Sequence, residues 1–355
     1  MIQKIAIYGA GAFGKIFFQS LGGKVDFFID DFTSLESLFS VPILKVSQAP
    51  KDTLIYISIL QHSKKIEKEL QESGFSNIIN FTNSILQIPN VLEEIAKTDY
   101  LWLRTNKTKM IDNEKLEQFY NLLYDEKSKT ILSQIINLRK TFDVQYYTKP
   151  FDIEYFPSDV PILENIKTLH FIDCGAYTGD SIVELMKHHK NIATTISFEP
   201  DNKNIKHLAT QLELLHKEFP YTQFFLYPAG VYSSNTILRF SNNGIDSSAT
   251  IVESSDITIP VVSLDTIILN SSPNYIKMDI EGAEKEALIG ATKTIQKHKP
   301  NLAICLYHKP EDLWELPLLI HTIEPSYQMY LRVHEDLGLS TVLYCISQER
   351  LECIN

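Results

Sequence analysis

The sequence predicts an α/β protein with two Rossmann-like sheets. Three observations predict it. Apolar strand patterns alternate with helical ones twice, over roughly the first 80 residues and again from about residue 169. In each half an apolar strand runs into a glycine-rich turn, IAIYGAGAFG at 5–14 and FIDCGAYTGD at 171–180. Three strands of the second half close on acids, in the order Asp173, Glu199 and Asp279. Alternating strands and helices imply parallel, doubly wound sheets, and ligands of such sheets bind along the carboxyl edge.

The elements follow in order. Lys4–Tyr8 alternates as a first strand, and Gly9, Gly11 and Gly14 turn the chain into a helix from about Phe13 to Leu21. Strands are expected at Val25–Asp30, Leu54–Ile59 and Asn77–Phe81, with a helix from Ser63 to Ser73 stopped by Gly74. This is a small Rossmann-like domain, 1–84. Residues 85–160 form a helical bridge. LEQFYNLLYDEKSKTILSQIINLRKTF has apolar positions at helical spacing, with a break near Asp125 and Ser128. An irregular stretch with Pro150, Pro157 and Pro161 follows. The domain 161–355 carries strands near 169–173, 194–199, 223–227, 274–279 and 301–307. Helices are expected near 179–190, 202–217, 283–298 and 312–322, with short β-prone pieces between Val231 and Val262. Tyr327–His334 and Thr341–Ser347 read as a C-terminal hairpin that adds one antiparallel strand.

Composition narrows the function. The 355 residues carry 33 basic and 44 acidic side chains, a net charge of −11, which argues against a nucleic-acid binder. The four cysteines, Cys174, Cys305, Cys345 and Cys353, form no CxxC pair, so neither a disulfide scaffold nor a zinc cluster is expected and a reducing cytoplasm fits. No apolar run approaches the ~20 residues of a membrane span. The N-terminus, broken by glycines and Lys15, reads as strand and helix and not as a signal peptide. Oligomeric state is not set by the sequence, and a homo-oligomer stays open.

The acids of the second half suit a cationic nucleoside better than a pyrophosphate, and S-adenosylmethionine is the natural candidate. Its donor needs acceptors for two ribose hydroxyls and an ammonium group. Glu199, closing the second strand, can accept both hydroxyls. Asp173 closes the first strand, and Gly175 lets the backbone approach the ligand. Gly179 and Asp180 stand at the entry of the next helix, whose positive end can face the ligand carboxylate. Tyr177 in the turn and Glu281 beyond the fourth strand complete the expected set. Asp279 falls where the transferred methyl should lie, with Lys277 on the same strand face as a further catalytic candidate that can pair with Asp279 or with a substrate anion. His308 follows LAICLY on the neighbouring strand. A neutral hydroxyl is a poor nucleophile, so a histidine or carboxylate must take its proton. No metal is expected as such, although Asp279, Glu281 and His308 have the chemistry of hard or borderline ligands.

With LLYDEKSKTILSQIINLR, EYFPSDV, HFIDCGAYTGDSI, ISFEPDNKNIKHL, PVVSLDTII, YIKMDIEGAEKEALIGA and LYHKPEDLWELP, the chain resembles the FkbM-type methyltransferases from about Leu123 to Ser347. The resemblance implies a Rossmann-like methyltransferase sheet and S-adenosylmethionine-dependent methylation of sugar or polyketide hydroxyls. It also implies donor binding by Asp173, Gly175 and Glu199. Asp279 and Glu281 belong to its most distinctive motif, IKMDIEGAE. The expected activity is O-methylation of a carbohydrate in the cytoplasm, with a nucleotide-linked sugar and a surface-polysaccharide precursor as the candidate acceptors.

Gly9, Gly11 and Gly14, with Asp30 closing the next strand, form the G-x-G-x-x-G fingerprint in its proper context. The domain offers only one mononucleotide half. It is similar to small Rossmann-type domains that precede sugar-modifying enzymes. Nucleotide-sugar binding, NAD binding and a degenerate scaffold all stay open. So do two whole-protein alternatives: a non-catalytic nucleotide-sugar binding protein, and an NAD-dependent sugar-modifying enzyme.

Overall fold

The computed structural model describes residues 3–60, 63–88, 90–98, 111–151, 153–242, 249–251, 257–268 and 271–351. Cys353 and residues 99–110 of the expected helical segment lie outside the described residues. The chain forms two compact units, Met1–Lys107 with Gln134–Thr148, and Thr108–Ser133 with Lys149–Asn355.

In the first unit β1 (Ile5–Tyr8), β2 (Phe27–Ile29), β3 (Ser37–Leu38), β4 (Val41–Leu44), β5 (Leu54–Ile57) and β6 (Ile78–Ile79) form one sheet in the order β3-β4-β2-β1-β5-β6. All pairs are parallel except β3 with β4. Ala6, Phe27, Ile29, Ile55 and Ile57 bury one sheet face against Leu70 and Phe75. The sequence pattern missed β3 and β4. Both are short, Pro42 reads as a strand breaker, and their turn depends on Phe39 and Ser40 at φ 54° and 63°. Helix α1 (Ala12–Ser20) starts at the glycine turn, α2 (Ser63–Glu72) joins β5 to β6, and α3 (Phe81–Gln87) and α4 (Val91–Ala96) follow. Helix α5 (Asn113–Leu122) lies in the second unit, and α6 (Glu126–Thr141) contributes to both. The break between α5 and α6 falls where expected: Asp125 accepts the Ser128 N–H at 2.8 Å and caps the new helix.

The main sheet of the second unit has seven strands among the described residues: β7 (Leu169–Cys174), β8 (Ile192–Phe198), β9 (Gln223–Tyr227), β14 (Tyr275–Met278), β15 (Asn301–Cys305), β16 (Gln328–Val333) and β17 (Thr341–Ile346). Their order is β16-β17-β15-β14-β7-β8-β9. Only β17 runs antiparallel to its neighbours, the single reversed strand expected of the terminal hairpin. The pieces between Val231 and Val262 form a separate small sheet. It comprises β10 (Gly230–Val231), β11 (Thr236–Asn242), β12 (Ala249–Ile251) and β13 (Thr258–Val262), packed on Phe240, Ile259 and Val261. Helices α7 (Asp180–His188) and α8 (Asn202–Glu218) follow β7 and β8, and the short α9 (Leu264–Ile267) precedes β14.

The helix expected over 283–298 is two, α10 (Glu284–Ile289) and α11 (Thr292–His298). They part because the Gly290 carbonyl is taken by the Asp265 N–H and the Ser263 hydroxyl, not by a further helical turn. Helix α12 (Asp312–Ile323) and a last turn α13 (Gln348–Leu351) complete the chain.

Every residue of β14 is buried, Lys277 included. β7 lies between β14 and β8, so the chain crosses to opposite sides of β7 there. That crevice at the carboxyl ends is where open α/β sheets bind ligands. The proline-rich stretch is pinned over the same edge. Tyr155 N donates to the Tyr344 hydroxyl at 3.0 Å, and the Tyr275 hydroxyl donates to Tyr155 O at 2.6 Å.

Candidate active site

A cavity opens at the carboxyl ends of β7, β8 and β14. Gly175, Tyr177 and Asp180 come from the first turn, Glu199 and Asp201 from the second, and Lys277, Asp279 and Glu281 from the fourth strand. Phe198, Val231, Phe240 and Val261 supply apolar walls, and Tyr155 and Tyr307 supply hydroxyls.

The turn after β7 exists because Gly175 is a glycine. Its φ is +81°, and a Cβ would stand 1.8 Å from the Asp279 carbonyl oxygen. Any side chain would drive the ends of β7 and β14 apart. Glu199 then organises the turn. Oε2 accepts the Tyr177 N–H at 2.9 Å and Oε1 accepts the Asp201 N–H at 2.9 Å. Burial raises the Glu199 pKa, and these N–H bonds oppose the rise.

Asp173 sits beneath the cavity, and Lys277 forms part of its lining above it. Asp173 is fully buried and is not among the lining residues. Its Oδ1 stands 3.0 Å from Lys277 Nζ, which also donates to Gly175 O at 2.7 Å. Burial pushes Asp173 up to about 6 against the pull of Lys277. Lys277 thus pairs with Asp173 and braces the glycine turn, where the sequence suggested Asp279 or a substrate anion. Gly179 caps α7 with φ +92° and does not line the cavity.

At the far end Asp279 is the hub. Its Oδ2 accepts the Tyr155 hydroxyl at 2.8 Å and its Oδ1 the Tyr307 hydroxyl at 3.1 Å. His308 Nε2 stands 3.3 Å from Asp279 Oδ1. Burial alone would raise the Asp279 carboxyl, but the His308 contact and the Lys277 charge outweigh it and hold the group ionised. Burial would lower His308, but the Glu284 and Asp279 carboxylates outweigh it and hold the imidazole well above its usual range. Burial pushes Glu281 up to about 7, with Asp279 and Glu284 adding to the rise. Both tyrosines stay neutral donors because burial raises them well above 10.

The fold therefore brings Gly175, Tyr177, Asp180, Glu199, Lys277, Asp279 and Glu281 to one cavity, with His308 directly behind Asp279. Gly9, Gly11, Gly14 and Asp30 belong to the first unit. Sequence reasoning gave no role to Tyr155 and Tyr307. The only sequence signal for Tyr155 was its place in EYFPSDV, and Tyr307 sits beside His308 in LYHKP.

The methyltransferase FkbM domain matches residues 173–331. The second unit carries this FkbM methyltransferase domain. The whole chain is similar to the crystal structure of methyltransferase FkbM from Methylobacillus flagellatus KT, with a TM-score of 0.61 and 23% identity. That likeness covers 97% of this chain and 90% of that one, and it shows a shared fold. An rRNA methylase from Streptococcus thermophilus gives a TM-score of 0.32 at 11% identity over 52% of this chain and 89% of that one, too slight to carry an argument. No curated protein matches.

The chain is an S-adenosylmethionine-dependent methyltransferase that carries an FkbM domain over residues 173–331. The cavity fits that donor. It offers apolar walls for an adenine ring and carboxylates for hydroxyl and ammonium groups, and among the described lining residues Lys277 is the one cation, too few for a pyrophosphate. Among the described residues no helix is long and apolar enough to cross a membrane.

Proposed function

We propose that the enzyme methylates a hydroxyl of a carbohydrate, either a nucleotide-linked sugar or a surface-polysaccharide precursor, in the cytoplasm. The observation that carries this reading is the Asp279 hub. An ionised carboxylate held by two tyrosine hydroxyls and a histidine lines the same cavity as Glu199. Such a group suits a neutral polyol, whose hydroxyls donate to it. The lining carboxylates Asp180, Glu199, Asp201, Asp279 and Glu281 disfavour an anionic group beside the methyl. A nucleotide-linked acceptor would therefore keep its phosphates away from this end.

In this reading Glu199 takes the ribose hydroxyls, Tyr177 and Asp180 stand over the donor, and Gly175 and Gly179 shape its turn. Asp173 and Lys277 hold the turn from below. Asp279 orients the acceptor oxygen, and its carboxylate, supported by His308, accepts the proton as the carbon–oxygen bond forms and the carbon–sulfur bond breaks. The donor supplies the methyl group and leaves as S-adenosylhomocysteine.

The glycine turn of the first unit supports the scaffold alternative over a nucleotide site. Asp30 Oδ2 accepts the Ala10 N–H at 2.9 Å, and Oδ1 accepts the Phe32 and Thr33 N–H groups. The test is transfer from labelled donor to a panel of neutral sugars, nucleotide sugars and non-carbohydrate alcohols. Labelling of sugars is the expected outcome. Labelling confined to non-carbohydrate alcohols would overturn the acceptor class.

A further inference from the structure

Three carboxylates converge on one buried imidazole between β14 and β15. The His308 side chain is 4% exposed. Its Nε2 stands 3.3 Å from Asp279 Oδ1 and 3.7 Å from Glu281 Oε2, and its Nδ1 stands 2.9 Å from Glu284 Oε1. Neither ring nitrogen is aimed in a well-formed hydrogen bond. Glu284, 1% exposed, leaves Oε2 with no partner, while its Oε1 accepts the Ile280 N–H at 2.9 Å. Even when the imidazole carries both protons, three carboxylates on one ring leave the cluster net negative, and burying such a set is costly unless a further cation joins it.

We propose that this cluster binds a divalent first-row cation through His308 Nε2, Asp279 and Glu281, with Glu284 accepting the Nδ1–H behind the ring. Ligand atoms bonded at about 2.0–2.2 Å to one cation stand roughly 3–3.5 Å apart. The Nε2–Asp279 separation has that length, and Glu281 Oε2, 3.7 Å from Nε2, lies just beyond it. Asp279, Glu284 and His308 offer ligand atoms within 4.8 Å of one another. Glu284 takes the outer role because it meets Nδ1, and a carboxylate there fixes the tautomer of a metal-bound histidine. Glu281 supports the assignment through its backbone. Its φ of 55° is unusual for a residue with a Cβ, and the bend carries its carboxylate back toward His308. The Tyr155 and Tyr307 hydroxyls orient Asp279 from behind, as partners of ligating carboxylates do.

Two oxygens and one imidazole nitrogen suit Mn2+, Fe2+, Co2+ or Zn2+ better than Ca2+ or Mg2+. Asp279 and Glu281 line the donor cavity, so a cation here keeps open positions facing the acceptor. The inference rests on reading this edge as the acceptor site. It changes one role there: with the cation bound, His308 is a ligand, and the cation makes the acceptor hydroxyl more acidic.

The test is titration of the chelator-treated full chain with Mn2+, free ion being followed by electron paramagnetic resonance. One Mn2+ per chain is expected. Glu281→Gln and His308→Gln should each weaken it at least about tenfold, and Glu284→Gln about 10–100-fold. Calorimetry with S-adenosylhomocysteine checks that each variant is folded. If the variants misfold, coupling of bound Mn2+ to an imidazole nitrogen in the wild type decides the matter. Absence of saturable Mn2+ and Zn2+ binding, wild-type affinity in folded variants, or bound Mn2+ without nitrogen coupling would each overturn the proposal. A chain that binds Mn2+ yet labels no sugar would overturn the acceptor reading alone. One that labels sugars in chelator and binds no cation would overturn the cation alone.

Discussion

The two glycine turns are wired alike, yet they end in different chemistry. After β1, the acid closing the next strand, Asp30, accepts the N–H of Ala10 in the glycine turn and of Phe32 in its own loop. After β7, Glu199 does the same with Tyr177 and Asp201. The difference lies at the strand on the other side. β5 of the first unit is followed by Ser58, whose hydroxyl closes on the Tyr8 and Gly9 carbonyls. β14 of the second is followed by Asp279, with Tyr155, Tyr307 and His308 around it. An acid on a glycine turn is thus a structural device of this fold. The chemistry is added by the edge of the following strands.

The largest expected effect tests that conclusion directly. His308→Ala should slow methyl transfer by on the order of 10²–10⁴-fold while S-adenosylhomocysteine affinity stays within about threefold. Single-turnover assays and calorimetry read the two quantities. Transfer at the wild-type rate would remove the second unit's claim to special chemistry at this edge.

A matched pair of glycine variants comes next. Gly175→Ala places a methyl 1.8 Å from the Asp279 carbonyl oxygen, and Gly14→Ala places one 2.1 Å from the Gly9 carbonyl oxygen. Each clash should cost its own unit about 3 kcal/mol or more, since backbone must move. Only Gly175→Ala should abolish donor binding. Loss of donor binding in Gly14→Ala would show that the two turns are not independent.

Acid should separate the units as well. Burial pushes His334 in the second unit down to about 4, with the neutral ring 2.8 Å from the Tyr344 hydroxyl. Its folded pKa lies below the unfolded value near 6.5. The unfolded chain therefore binds the extra proton in that window, and stability present above pH 6.5 is lost as pH falls toward 4. The loss amounts to about 3 kcal/mol. Chemical unfolding of the wild type and His334→Gln at pH 7.5 and 4.5 would show it as a smaller pH dependence in the variant. An equal dependence in both would place the acid sensitivity elsewhere.

The smallest effect is the most discriminating. Glu199→Ala should weaken S-adenosylhomocysteine binding by about 1.5–3 kcal/mol, the range for hydrogen bonds to a charged group. Asp30→Ala should leave that affinity unchanged and lower the melting temperature. Equal effects on affinity would dissolve the distinction between the turns, and no effect from Glu199→Ala would take the ribose away from it.

The sequence by itself determined the alternation of strands and helices, the two glycine turns, and the acids that close β7, β8 and β14. Those features are local: a period of two or 3.6, a glycine where φ must be positive, an acid at the carboxyl end of an apolar strand. It also carried the family, through IKMDIEGAE and DCGAYTGD. Tertiary structure decided which acids reach the cavity. Asp173 and Asp279 look alike in sequence, each ending an apolar strand, but the first is sealed against Lys277 and the second faces ligand space. It also recruited Tyr155 from 124 residues away and turned Glu284 inward onto His308. No periodicity records such contacts. They arise because strands distant in sequence pair side by side, and burial then favours the partners that the polar atoms at their ends can reach.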